Sequence, residues 1–147
     1  MVTIREINML DYLHQASELA RLHWQETEAH MSGSGPNLQV DAYRSFQDAG
    51  LIIAFGVFDD ETLVGYCIAI LSPHLHYGFM YAHHDVLFLK PEYRKGATAL
   101  RLVALVHQHA KEKGAKCVTW HAKLGTAFHR ILEHSAKPEE TVFLREL

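Results

Sequence analysis

A short segment near the middle of the chain has the composition of an anion-binding turn. It reads Arg94-Lys95-Gly96-Ala97-Thr98-Ala99, and its small side chains let an anion approach the backbone closely. The open N–H groups at the start of a helix, together with the positive end of the helix dipole, attract phosphate. Arg94 and Lys95 add two cationic side chains at the same point. These residues predict a phosphate or pyrophosphate site, although many strand-to-helix turns contain glycine and lysine for structural reasons alone.

The elements that would position this segment follow from the apolar pattern. Alternating or continuous apolar runs predict strands, and apolar residues that recur every three to four positions predict helices. The predicted strands are Val2–Ile7, Leu51–Phe58, Thr62–Leu71, Met80–Leu89, Lys116–Trp120 and Thr141–Leu144. The predicted helices run from behind Asn8 through Trp24, from Asn37 to Ala49, from Gly96 to Lys113 and from Thr126 to His134.

The order β-α-α-β-β-β-α-β-α-β predicts an α+β fold with a central, twisted, mostly antiparallel sheet. One β-α-β crossover, from Met80 to Trp120, makes its two strands parallel neighbours. The last βα turn before the long helix is the anion-binding segment. The sequence therefore places that segment at the end of a central strand.

The composition fits a single domain over residues 1–147, with 48% hydrophobic and 21% charged residues. A net charge of −3 argues against a dedicated nucleic-acid binder, which usually carries a basic face. The segment Met1–Ile7 is charged where a signal peptide is apolar, and no apolar run approaches the ~18 residues of a membrane helix. Cys67 and Cys117 match no disulfide framework or metal knuckle, so a cytoplasmic location is expected.

The region around the anion-binding turn resembles the acetyl-coenzyme A motif of the GNAT superfamily of N-acetyltransferases. The apolar triplet Leu87-Phe88-Leu89 and the following Pro91-Glu92-Tyr93 match the family's strand end and its frequent continuation. Arg94-x-x-Ala97-x-Ala99 matches the pattern Arg/Gln-x-x-Gly-x-Gly/Ala. The likeness covers roughly residues 50–136 well and the N-terminal third in outline. Ala97 stands where the family usually has its first glycine, which is tolerated if this residue keeps helical dihedrals.

The resemblance implies a GNAT-like fold that moves an acetyl group from acetyl-CoA to a primary amine by direct attack. The acceptor would be a small molecule, an amino-terminus or a lysine. Backbone groups of Leu87 and Leu89 would bind the pantetheine arm and polarise the thioester carbonyl, with Phe88 between them in the same cofactor-binding segment. Residues from Arg94 through Ala99 would hold the pyrophosphate. The slot between the strands Met80–Leu89 and Lys116–Trp120 would admit the cosubstrate. Family members are often dimers, which leaves a homodimer open.

His83 is the implied general base, because one branch of the family has a glutamate four residues before the apolar triplet. Imidazole exchanges protons near neutral pH, which suits that role. Strict strand alternation places His83, Asp85, Leu87 and Leu89 on one face. Asp85 would then orient His83 or act as the base itself. The alternative is that His83 and Asp85 form a hydrogen-bonded structural pair.

The general acid is not carried over from the family. Many members use a tyrosine shortly after the fifth strand, but its position falls near Ile131, and no tyrosine follows Tyr93. His121 and His129 are substitutes by chemistry only. Protonation of the leaving thiolate by solvent is equally consistent with the sequence.

Acceptor contacts are implied on the first helix and the loop after it. In this family that region usually lines the acceptor site, which makes Trp24, Glu26, Glu28 and His30 the candidate contacts. Glu26 and Glu28 would suit a cationic amine, and the alternative is a charged helix end that is simply solvated.

The chain has twelve histidines, which raises the question of a metal site. His74-x-His76 and His83-His84 offer imidazoles, but no cysteine or carboxylate completes a recognised ligand spacing, so no metal is expected. Two alternatives to an acetyltransferase stay open: a module that binds coenzyme A without turnover, and a histidine-rich metal-binding protein.

Overall fold

The computed structural model describes residues 1–29 and 33–147. The strands are β1 (Val2–Glu6), β2 (Ile52–Asp59), β3 (Thr62–Pro73), β4 (Met80–Leu89) and β5 (Val118–Thr119). The α-helices are α1 (Leu13–His23), α2 (Val40–Asp48), α3 (Thr98–Glu112) and α4 (Ala127–Ser135). Short 3-10 turns at Met9–Tyr12 and Pro91–Tyr93 precede α1 and α3, and α1 continues as a π-helical turn, Trp24–Glu28.

The five strands form one sheet in the order β1-β2-β3-β4-β5. The first three pairings are antiparallel, and β4 pairs with β5 in parallel. This confirms the predicted α+β class and its single crossover. The central strands β2 and β3 are almost continuously apolar because helices cover both of their faces.

Two apolar clusters lie on opposite faces of the sheet. On one face, Leu102 and Val106 of α3 pack against the central strands. On the other, Ala16 and Leu19 of α1 do so, with Tyr43 of α2 at the margin. The sheet is therefore the middle layer, and each face of β4 looks into a different layer of helices.

A β-bulge in β4 changes which side chains share a face. Ile68 of β3 is opposite Val86, whereas the next residue of β3 is opposite His84, so Asp85 is an extra residue in β4. The prediction that His83 and Asp85 share a face with Leu87 and Leu89 is wrong. The leucines pack on the α3 side, whereas Asp85 reaches Tyr43 on the α1/α2 side.

The end of the chain does not form the predicted last strand. Residues after Ser135 are in no helix or strand, and Val142 and Phe143 are exposed. A segment as short as Thr141–Leu144 gains few ladder hydrogen bonds, and β5 offers an edge of only two residues. Within residues 1–29 and 33–147, no helix has the length and apolar character needed to cross a membrane.

Candidate active site

The slot expected between β4 and β5 is present. The two strands pair only at Ala82 with Val118 and at His83 with Thr119. Beside these pairs, the Ala82 N–H donates to Cys117 O at 3.0 Å. From His84 to Leu89, the described part of the chain places no partner strand on this edge of β4. The predicted divergence of the strands is confirmed, and it leaves backbone groups on this edge of β4 without a partner strand, although the Leu89 carbonyl accepts a hydrogen bond from the Arg94 side chain.

The turn after β4 presents open backbone amides at the start of α3. The N-cap residue Ala97 makes no side-chain capping bond, because alanine has no acceptor to offer. Gly96 has φ +78°, and nothing lies within 4 Å of the place where its Cβ would be. Ala97 itself has φ −98° and ψ 9°, which is not helical but is a negative-φ turn conformation that residues with a Cβ adopt. The alanine at the family's glycine position therefore causes no backbone strain.

Arg94 makes a contact that the sequence did not reveal. Its Nε donates to the backbone oxygen of Leu89 at 2.7 Å, which fixes the side chain against the end of β4. Its Nη1 and Nη2 donate to the two carboxylate oxygens of Glu26 at 2.7 and 2.6 Å. These hydrogen bonds lower the pKa of Glu26. The candidate pyrophosphate ligand is thus held by a carboxylate of the π-helical turn.

His83 and Asp85 lie on the α1/α2 side of β4, but among the described residues no hydrogen bond joins them. Asp85 accepts instead from the Tyr43 hydroxyl at 2.5 Å. Burial, reinforced by the Asp85 carboxylate, raises the pKa of Tyr43. The ring of His83 lies 5.8 Å from that of Tyr81. Tyr43 therefore positions Asp85, and no sequence spacing could have shown this because the partners are 42 residues apart.

His84, which the sequence suggested only as one imidazole of a possible metal pair, lies beside the slot. It lies where β4 and β5 separate, stacked on Trp120 with ring centroids 5.3 Å apart. Its Nδ1 accepts from the His121 N–H at 3.4 Å, which leaves its proton on Nε2. That Nε2 is buried without a hydrogen-bond partner, and burial lowers the pKa of His84 to about 4. His84 is thus a neutral imidazole with an N–H to donate.

The two histidines named as substitute acids have different surroundings. The ring of His129 is engaged at the start of α4, where Nδ1 accepts from the Gly125 N–H at 3.3 Å and Nε2 lies 3.7 Å from Glu133. The ring of His121 lies 6.2 Å from that of His84, beside the slot. Only His121 is therefore brought close to β4.

An apolar cavity of about 230 Å3 lies on the α1/α2 side of the sheet. Of the candidate acceptor contacts, Trp24 and Glu28 line it, Glu26 is held by Arg94, and His30 lies outside the described residues. Lys123 donates to Glu28 at 3.1 Å. The Trp24 Nε1 is buried without a hydrogen-bond partner. In the described part of the chain, no group of three or more histidine, cysteine or acidic residues is arranged to hold a metal ion.

The model of the acetyltransferase (GNAT) family matches residues 11–131, which include the slot, the turn and α3. The chain belongs to the GNAT acetyltransferase family. The GNAT family is a family of transferases, and membership was expected from the Arg94–Ala99 motif. No curated protein matches the chain.

Solved GNAT structures share the fold over nearly the whole chain. A ribosomal-protein-alanine N-acetyltransferase from Brucella melitensis biovar Abortus 2308 has a TM-score of 0.75 at 15% identity, covering 100% of this chain and 99% of that one. The aminoglycoside acetyltransferase meta-AAC0020 from an uncultured soil metagenomic sample, in complex with sisomicin, has a TM-score of 0.75 at 15% identity, covering 99% and 95%. AAC(6')-Iy with the bisubstrate analog CoA-S-monomethyl-acetylneamine has a TM-score of 0.71 at 16% identity, covering 100% and 99%. At these identities the likeness shows the GNAT fold alone.

Proposed function

We propose that this GNAT acetyltransferase uses acetyl-CoA to acetylate a primary amine by direct attack. The observation that carries the proposal is the open edge of β4, followed after the 3-10 turn Pro91–Tyr93 by α3, whose N-cap residue makes no side-chain capping bond. An extended chain with polar amide groups fits the first feature, and a pyrophosphate fits the second. Acetyl-CoA has both parts, and when bound it supplies the activated acetyl group.

The binding roles follow from these two features. Backbone groups of Leu87 and the N–H of Leu89 bind the pantetheine arm and polarise the thioester carbonyl, while Phe88 between them pairs with Tyr66 of β3. The amides from Lys95 to Ala99 hold the pyrophosphate, with the space beside Gly96 allowing close approach. Arg94 adds a charge-assisted contact once it leaves Glu26.

The proton transfers fall to the polar groups around the bulge. His83 takes the proton of the attacking amine directly or through water, and Asp85, held by Tyr43, supports the positive charge that develops. The leaving thiolate takes its proton from solvent or from His121, which lies beside the slot, because the His129 ring is engaged at α4. The free thiols Cys67 and Cys117 fit the reducing, cytoplasmic setting that we propose.

The test is a coenzyme A titration by calorimetry with a matched pair of variants. Ala97→Gly should retain affinity because Ala97 has a negative φ that glycine also adopts. Ala97→Glu should abolish binding, because its bulk and charge oppose a pyrophosphate at the α3 N-terminus. Equal affinity of the two variants would contradict the assignment.

A second assay separates an enzyme from a binding module. Release of free thiol from acetyl-CoA is measured with a panel of primary amines. Amine-dependent release supports the acetyltransferase. Tight coenzyme A binding without release by any amine would instead identify a module that binds coenzyme A without turnover.

A further inference from the structure

We propose that the acceptor is a small primary amine joined by a short chain to a compact apolar group, and that the cavity beside α1 binds that group. The inference rests on the proposed acetyl transfer and names its substrate class. Three observations carry it: the lining of the cavity, the few polar groups at its border, and its place against β4.

The lining of the cavity is mostly hydrocarbon. Its walls come from α1, from the segment leading into α2 and from the central strands, and include Leu13, Ala16, Ala20, Leu38, Ile68 and Val86. Apolar cavities of about 150 Å3 remain dry and take up benzene. A cavity of about 230 Å3 therefore has room for a six-membered ring or a branched alkyl group with a short chain attached.

Five lining residues carry a polar side-chain atom: His23, Trp24, Glu28, Tyr43 and Tyr66. Of these atoms, Trp24 Nε1 is a buried donor without a partner, whereas Glu28 and Tyr43 are engaged. Tyr43 donates to Asp85, and Glu28 accepts from Lys123. His23 is neutral in its apolar surroundings, because burial lowers its pKa. Trp24 Nε1 can satisfy one polar group, but an acceptor with many hydroxyl or ammonium groups would lose the hydration of the others without gaining partners. An acceptor with a single amine places its apolar part in the cavity and keeps that amine at the carboxylate-bearing border.

The position of the cavity relates it to the proposed chemistry. Val86 lines the cavity and directly precedes Leu87, whose backbone is the proposed thioester contact. His83 and Asp85 lie on the same side of β4 as the cavity. An apolar group held there brings its amine to the strand that carries the proposed base.

The substrate panel compares 2-phenylethylamine and 3-methylbutylamine with spermidine, sisomicin and a short peptide with a free amino-terminus. We expect kcat/KM to be about tenfold or more higher for the two apolar amines. A preference for spermidine, sisomicin or the peptide would overturn the inference while leaving the proposed acetyl transfer intact.

Two variants introduce the same side chain at different places on α1. Ala20→Leu fills part of the cavity and should raise the KM for 2-phenylethylamine about tenfold, with coenzyme A affinity unchanged. Ser17→Leu adds leucine on the exposed face of the helix and should leave the KM unchanged. Equal effects of the two variants would overturn the inference.

Two further measurements keep the test decisive. If thermal melting shows that Ala20→Leu is not folded, Leu38→Ala is tested in its place. Because this variant enlarges the cavity, it should shift the substrate preference towards a naphthyl-substituted amine. Ligand-observed NMR of 2-phenylethylamine tests the cavity without catalysis. If coenzyme A does not bind but 2-phenylethylamine binds and Ala20→Leu weakens it, the proposed function fails and the cavity site stands.

Discussion

Replacing Glu26 by glutamine should tighten the binding of coenzyme A. Arg94 donates two hydrogen bonds to the Glu26 carboxylate, so a pyrophosphate must displace that carboxylate before Arg94 can bind it. The carboxylate is also an anion close to the proposed anion site. Glutamine keeps the shape of the side chain but removes the charge, and thereby weakens the competition for Arg94.

The size of the effect follows from the exposure of the pair. The two side chains are 39% and 40% exposed, so solvent screens their attraction. Exposed ion pairs contribute about 0.2–1 kcal/mol, and bidentate geometry belongs at the upper end of that range. About 1 kcal/mol corresponds to about fivefold in Kd. We therefore expect Glu26→Gln to lower the Kd for coenzyme A about three- to fivefold.

The assay is calorimetric titration at low salt with two control variants. Glu28→Gln removes a carboxylate from the same π-helical turn, but Glu28 pairs with Lys123 and should change the Kd less than about twofold. Arg94→Ala should weaken binding by about 1–3 kcal/mol, the cost of a charge-assisted contact. In the Arg94→Ala background, Glu26→Gln should have little further effect. Unchanged or weaker binding by Glu26→Gln alone would refute the competition.

The other predictions concern β4. His83→Ala should lower kcat at pH 7 by ~10²–10⁴-fold with coenzyme A affinity unchanged, and higher pH should restore part of the loss because more acceptor is already neutral; near wild-type turnover would exclude His83 as the base. Asp85→Asn should cost less than His83→Ala if Asp85 only supports the base, and more if it is the base. Burial holds the pKa of His84 at about 4, below its ordinary 6.5, so His84 binds a proton more tightly in the unfolded chain than in the folded one. The free energy of unfolding therefore falls as the pH drops from about 6.5 to 4. His84→Gln should reduce that fall by up to about 3 kcal/mol in urea unfolding, with His14→Gln as the surface control; equal slopes would contradict it.

Local patterns predicted most of the fold. Met80–Leu89 was predicted with its observed bounds, and the glycine at position 96 together with the helical stripe behind it indicated α3. The prediction of a strand at Thr141–Leu144 was wrong. A strand forms only where a free edge of a sheet is available for pairing, and the sequence of four mostly apolar residues does not show whether such an edge exists.

Contacts between distant residues account for what the sequence could not predict in the site. The motif identified Arg94, but its partner Glu26 is 68 residues away. No sequence pattern indicates that this arginine and this glutamate form an ion pair. The burial of His84 likewise depends on Trp120, which follows β5 in the chain and stacks on the His84 ring. Such contacts are determined by tertiary packing, which overrides the local preferences that can be read from a sequence.

The extra residue in β4 reverses the alternation of its side chains between the two faces of the sheet. Upstream of Asp85, even-numbered side chains face α3; downstream, odd-numbered ones do. Deleting that single residue would therefore turn the side chains on one side of the deletion towards the opposite layer of helices. Either the leucines or the histidines of β4 would then lie on the wrong face of the sheet. The same holds between relatives: a proton-transfer residue found by counting back from the apolar triplet corresponds in space only where both chains carry the inserted residue.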